Sequence, residues 1–205
     1  MSIRTGMLTC FLLLTLPASA HQPYDSIQRF SVQNDENIQL WSCTTWAVRP
    51  EDRVLWVVPY HCLTDENGVI LLQAHWKIGK QSVQMFRLAP LYDLALLTGG
   101  PAPHGLRISF SQPSVRQAVY SVGYPHGSTV QHVMTGTFSN IDEDGRAIFG
   151  LPVAEGFSGG PILDHNNMVV GVVLQQECPL PGNFCAVTRA ATVDQLRAVV
   201  FGESA

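Results

Sequence analysis

The sequence predicts an all-β chain in which short antiparallel strands close into barrels. Three observations predict it. Short runs that are alternating or wholly apolar dominate the chain. Turn-forming residues separate them, and only a stretch near the C-terminus carries helical spacing. The first half offers runs at 27–32, 40–48, 54–58, 69–76, 83–88 and 94–97. Among the breaks are Arg49-Pro50-Glu51-Asp52 and Glu66-Asn67-Gly68. Thr98-Gly99-Gly100-Pro101-Ala102-Pro103 reads as a linker between a first unit at about 27–98 and a second at about 106–190. The second unit offers runs at 106–110, 118–123, 130–141, 147–151, 161–163, 168–175 and 184–188, with a turn at Asp142-Glu143-Asp144-Gly145. A helix follows at 192–201. Thr192 suits its N-cap, and Val193, Leu196, Val199 and Val200 share one face.

Composition narrows the function. Of 205 residues, 46% are hydrophobic and 14% charged, with 17 Gly and 13 Pro. That profile excludes a disordered chain, a coiled coil and collagen. The net charge of −4 argues against a nucleic-acid binder that works through a basic face. His104, His126, His132 and His165 have spacings that suit exposed loops better than a metal site, so no metal is expected.

The N-terminus has the make-up of an export signal. Arg4 supplies a positive start, residues 7–16 are uncharged and mostly apolar, and Ala18-Ser19-Ala20 offers small residues for cleavage after Ala20. Such a run is about half the length that spans a bilayer. The expected layout is therefore a signal peptide at 1–20 and one domain at 21–205, secreted or periplasmic, without stable membrane association after cleavage. Cys10 lies inside the apolar run, which does not suit a lipoprotein cysteine. Cys43, Cys62, Cys178 and Cys185 remain, an even number in an exported chain, which predicts disulfides. Three pairings are open. Cys43–Cys62 and Cys178–Cys185 are favoured because each pair flanks a candidate hairpin.

Three segments carry the chemistry. Gly156-Phe157-Ser158-Gly159-Gly160-Pro161 places a serine in a turn whose glycines allow close backbone approach. Such a turn can aim the N–H groups of Gly156 and Ser158 at one point, as an oxyanion hole requires. Serine is a weak nucleophile and needs a base. Pro59-Tyr60-His61-Cys62 ends the apolar strand at 54–58, so His61 sits at a strand end beside a cysteine. Asp93 heads the apolar run Leu94-Ala95-Leu96-Leu97, where a partly buried carboxylate needs a partner. An imidazole N–H supplies one.

His-Cys, then Asp-Leu-Ala-Leu-Leu, then Gly-Phe-Ser-Gly-Gly-Pro, in that order, resembles the chymotrypsin/trypsin-like serine proteases. The resemblance covers about 27–201. Val122-Gly123-Tyr124-Pro125 and Val133-Met134-Thr135-Gly136-Thr137 are similar to the compact bacterial members, HtrA-type proteases included. It implies two antiparallel six-stranded barrels with a cleft between them and a C-terminal helix. It implies a secreted serine endopeptidase that cuts proteins or peptides through His61, Asp93 and Ser158, with Gly156 and Ser158 as the oxyanion hole and no cofactor. Trp41-Ser42-Cys43 with His61-Cys62 is similar to the family's disulfide around the catalytic histidine. Val170-Gly171-Val172-Val173-Leu174 looks like the strand that lines the substrate cleft, so the backbone of Leu174, Gln175 and Gln176 is expected to pair with substrate.

The chain also departs from the pattern. Phe157 stands where trypsin-like zymogens carry an Asp that pairs with a newly cut N-terminus, so no such activation is expected. Leu174 stands where many relatives have a Ser that supports the catalytic Asp. Pro152 occupies the pocket-base position, which removes the basis for Lys or Arg preference, and a PDZ-like extension is not expected. A base role requires neutral His61, so activity is expected to rise with pH through roughly 6 to 8. The rival expectation is a catalytically inactive secreted binding protein on the same scaffold.

Overall fold

The apolar runs alternate between two cores. In a strand successive side chains point to opposite faces. Trp56 and Val58 point into the first barrel with Phe30, Ala47, Ala95 and Leu97. Leu55, Val57, Leu94 and Leu96 point the other way, into a core shared with the second barrel. Both faces are buried, so these strands read as continuous apolar runs. The computed structural model describes residues 23–101, 103–177 and 186–203.

The first barrel comprises β1 (Ile27–Gln33), β2 (Gln39–Val48), β3 (Leu55–Pro59), β4 (His75–Ile78), β5 (Gln81–Ala89) and β6 (Leu94–Gly99). It closes in the order β1-β2-β3-β6-β5-β4. The second half contributes β7 (Arg107–Ile108), β8 (Ala118–Gly123), β9 (His132–Ile141), β10 (Ala147–Gly150), β11 (Pro161–Leu163), β12 (Met168–Glu177) and β13 (Val187–Ala191). Six of these close in the order β11-β8-β9-β10-β13-β12, because β11 pairs with both β8 and β12. β7 pairs in parallel with Met168 and Val169 at the start of β12. The expected architecture of two six-stranded antiparallel barrels is the one observed.

Helix α1 (Val193–Phe201) follows. Thr192 Oγ1 accepts the Gln195 N–H while the Gln195 side chain accepts the Thr192 N–H, a reciprocal cap. Val193, Leu196, Val199 and Val200 are buried in the shared core. Arg87 Nη1 of β5 donates to the Val199 carbonyl at 2.6 Å, which ties the helix to the first barrel. Among the described residues no helix is long and apolar enough to cross a membrane.

Three expected strands differ. The run 69–76 yields only β4. The Asp65 carboxylate accepts the N–H groups of Asn67 and Val69, both at 2.9 Å, and curls the preceding chain into a turn. The run 106–110 shortens to Arg107–Ile108, since Ser109 Oγ accepts the Ser111 N–H and closes a turn there. The last strand is Val187–Ala191 rather than 184–188. Cys178 and Cys185 lie outside the described residues, as do residues 1–22.

Candidate active site

β3 and β6 pair antiparallel, with Pro59 opposite Leu94. The residues just beyond that pair are therefore neighbours. Tyr60 N–H donates to the Asp93 carbonyl at 3.1 Å. His61 lies in the single 3-10 turn Tyr60–Leu63. Its Nδ1 is 2.7 Å from Asp93 Oδ2, and its main-chain N–H donates to Asp93 Oδ1 at 2.9 Å. Both carboxylate oxygens thus face His61, and Nδ1 carries the proton in any tautomer that bonds the carboxylate. Asp93 caps a short 3-10 turn in the left-handed region, φ 55°, a conformation that Asp tolerates better than most residues. The histidine side chain is 43% exposed and the aspartate 23%.

A disulfide joins Cys62, next to His61, to Cys43 in β2. Trp41 Nε1 donates to the Cys62 carbonyl at 2.9 Å and holds the same turn from outside. Cys43, His61 and Cys62 form a cluster close enough to hold a metal. Its sulfurs are joined to each other, and metal ligation requires thiolates.

Ser158 lies in the turn that precedes β11, against the strands that carry His61. Its carbonyl accepts the Thr44 N–H of β2 at 2.8 Å. Gly159 is closer still. A Cβ there would lie 2.1 Å from the Thr44 carbonyl oxygen and 2.6 Å from Pro59 Cδ. Only glycine lets the serine turn approach the end of β3 this closely. Ser158 Oγ makes no hydrogen bond among the described residues.

The peptides around Ser158 are held one by one. The Glu155 carbonyl accepts the His126 N–H at 2.7 Å, and the Phe157 carbonyl accepts the Gly160 N–H at 2.7 Å. A trans peptide points its N–H opposite its C=O. The N–H groups of Gly156 and Ser158 therefore point away from those anchors, and neither donates to a described residue. Gly156 has φ 93°, and a Cβ there would lie 2.4 Å from the Tyr124 carbonyl oxygen. Phe157 is fully buried, its ring against Gly123, where a Cβ would lie 2.6 Å from Phe157 Cδ1.

Leu174 is the unpaired residue of a β-bulge, since Val173 pairs with Ala190 and Gln175 with Arg189. It borders a cleft of about 440 Å³ together with Tyr92, Asp93 and Gln175. Gln176 continues the strand opposite Thr188. With Leu at this position, His61 supplies the hydrogen bonds to both Asp93 oxygens. Pro152 is exposed, and beside it Thr188 Oγ1 donates to the Leu151 carbonyl at 2.7 Å.

Two residues escaped the sequence reading. Thr44 Oγ1 donates to the Gly156 carbonyl at 2.8 Å and accepts the Tyr124 N–H at 3.0 Å. Arg146 reaches from the second barrel and donates from Nη1 to the Tyr92 carbonyl at 3.3 Å, next to Asp93. Neither has a local signal, because each bond spans 54 or more residues. Burial raises the Tyr124 phenol above its ordinary value, against a lowering hydrogen bond from Gln131.

The family described as "Trypsin-like peptidase domain" matches residues 43–172. Among curated proteins none matches significantly. Solved structures share the fold at low identity. The active form of the Rv3671c protease from M. tuberculosis is 17% identical with a TM-score of 0.66, over 86% of this chain and 79% of that one. A serine endoprotease from Yersinia pestis is 16% identical with a TM-score of 0.69, over 91% of this chain and 67% of that one.

Proposed function

The chain belongs to the trypsin-like peptidase family and is a serine endopeptidase acting on proteins or peptides, and from that premise we propose that His61, Asp93 and Ser158 are its catalytic triad and that it works after export. Ser158 Oγ attacks the scissile carbonyl carbon as its proton passes to His61 Nε2. The oxygen that gains charge is met by the N–H groups of Gly156 and Ser158. Collapse breaks the C–N bond, and His61 hands its proton to the leaving amine. Water then repeats the sequence on the acyl-enzyme. Asp93 holds the imidazole tautomer with Nε2 free and stabilises the imidazolium.

The observation that carries this reading is the two-point bond between Asp93 and His61 at the strand ends against which the Ser158 turn is packed. Export is supported by the character of residues 1–20 and by the Cys43–Cys62 disulfide, which suits an oxidising compartment. The backbone at Leu174–Gln176 would add an extended substrate as a further strand. Cys178 and Cys185 would form the second disulfide.

Labelling of the folded, oxidised protein with a fluorophosphonate probe tests the triad. The expected result is one adduct on Ser158, absent in Ser158→Ala. No adduct on the unaltered protein would overturn it and favour an inactive binding protein.

A further inference from the structure

The N–H groups of Gly156 and Ser158 flank a single peptide, and the bonds of that peptide brace the segment that joins them. That peptide joins Gly156 to Phe157. Its N–H donates to the Ala154 carbonyl at 3.0 Å, and its carbonyl accepts the Thr44 hydroxyl at 2.8 Å. The hydroxyl has one proton to give. Because Oγ1 already accepts the Tyr124 N–H at 3.0 Å, that proton is left for Gly156. Thr44 is fully buried, so both bonds form away from water.

We propose that Thr44 is a positioning residue for the oxyanion hole, its hydroxyl locking the Gly156–Phe157 peptide so that the flanking N–H groups stay aimed at the substrate. The proposal rests on the reading of Ser158 as the nucleophile. Thr44 belongs to the first barrel, whereas the turn belongs to the second. Its main-chain N–H holds the Ser158 carbonyl while its side chain holds the Gly156 carbonyl. Among the described residues, no other first-barrel residue hydrogen-bonds the turn at 154–160. The hole is therefore shaped by the docking of one barrel on the other.

A rotation of the middle peptide changes ψ of Gly156 and φ of Phe157. Gly156, without a Cβ, resists such rotation least. Phe157 is fixed by its buried ring and its N–H is held by the Ala154 carbonyl, while Thr44 secures the carbonyl end of the same peptide from the other barrel. The main-chain bond from Thr44 to Ser158 survives any substitution of its side chain, so the hydroxyl can be tested alone.

The test is the time course of fluorophosphonate labelling at several probe concentrations, which separates kinact from KI. Thr44→Val, of nearly the same shape, is expected to lower kinact about tenfold to a hundredfold with KI within about twofold. Thr44→Ser is expected to stay within about threefold of the unaltered protein in kinact. The final extent of labelling counts the folded molecules, while the rate belongs to those molecules alone, so lost stability does not imitate the effect. If Thr44→Val yields no folded protein, Thr44→Ala is read in the same way. A hydroxyl-free variant that labels within about twofold of the unaltered rate would overturn the proposal. So would Thr44→Ser labelling as slowly as Thr44→Val. An unaltered protein that does not label overturns the Ser158 reading itself, and this inference with it, by a distinct signature.

Discussion

Asp93 bonds His61 through both carboxylate oxygens, one to the ring at 2.7 Å and one to the main chain at 2.9 Å. The main-chain bond sets where the residue sits, and the ring bond sets which nitrogen is protonated. Asp93→Asn separates the two. Asn also tolerates the left-handed backbone at this position, so the fold is expected to persist with little change in Tm. Its amide favours the wrong imidazole tautomer, and kcat is expected to fall about a thousandfold to ten-thousandfold. Turnover of a fluorogenic peptide, set beside a thermal melt of the same sample, checks both halves.

Gly159→Ala should be far more damaging than its size implies. Its Cβ would meet backbone of β2 at 2.1 Å, and φ of +88° is itself costly for an L residue. The serine turn must retreat from the end of β3. Stability is expected to fall by about 2 kcal/mol or more, with loss of fluorophosphonate labelling. Gly150→Ala, whose Cβ would find its nearest neighbour at 3.7 Å, is the control and is expected to change stability by at most about 1 kcal/mol. Urea unfolding curves for the two variants decide the matter.

How much was readable from sequence follows from the range of the interactions. The runs at 54–58 and 94–97 and the cap at Thr192 are local patterns, and the structure has strands and a helix there. The run at 69–76 misled because its residues are apolar enough for a strand while Asp65, a few positions earlier, organises a turn. Leu174 marks the missing Ser at the sequence level, whereas the bond from the His61 main chain to Asp93 is a contact that side-chain identity does not reveal. The Thr44 bonds to Gly156 and Tyr124 bridge 112 and 80 residues. No spacing rule reaches that far.

The disulfide closes a loop with a sequence separation of 19 and pins the turn that carries His61. In the chain-entropy account a loop of this size is worth about 3 kcal/mol. Replacing both Cys43 and Cys62 by Ala is expected to lower stability by about that amount. Activity should fall further than the folded fraction does, because the His61 turn loses one of its anchors. Denaturant midpoints and activity per folded molecule, measured on the oxidised protein and the double variant, test this. Equal activity per folded molecule would show that the Trp41 bond to Cys62 suffices.

Alkaline pH should destabilise the fold through two phenols. Burial is the largest cause that pushes Tyr120 up to about 12, with Tyr24 and Asp164 adding to it, and burial raises Tyr124 in the same sense. Unfolded tyrosine ionises near 10. Above that value the unfolded chain releases protons that the folded chain retains, so stability is intact below about 10 and falls as pH rises from about 10 to 12. Tyr120→Phe removes one of the two groups. It is expected to flatten the drop in urea midpoint between pH 9 and pH 11, whatever it costs at pH 9. A drop as steep as that of the unaltered protein would contradict the assignment.

Phe157 is expected to make activation independent of a free N-terminus. An Asp at this position would need a buried cation, whereas Phe157 fills its site with an aromatic ring packed on Gly123. The ring anchors the turn by burial, which needs no cleavage event. A protein carrying a few extra residues ahead of His21 is therefore expected to label at Ser158 as fast as one cut after Ala20, within about twofold. Phe157→Ala is expected to destabilise the fold by about 3 to 5 kcal/mol through the cavity it leaves. Labelling should slow in the molecules that remain folded, since the peptide planes on either side of residue 157 lose their common anchor. Labelling rates of the extended, cut and Phe157→Ala forms give the answer. Strict dependence on cutting would show that the N-terminus, and not the buried ring, orders the turn.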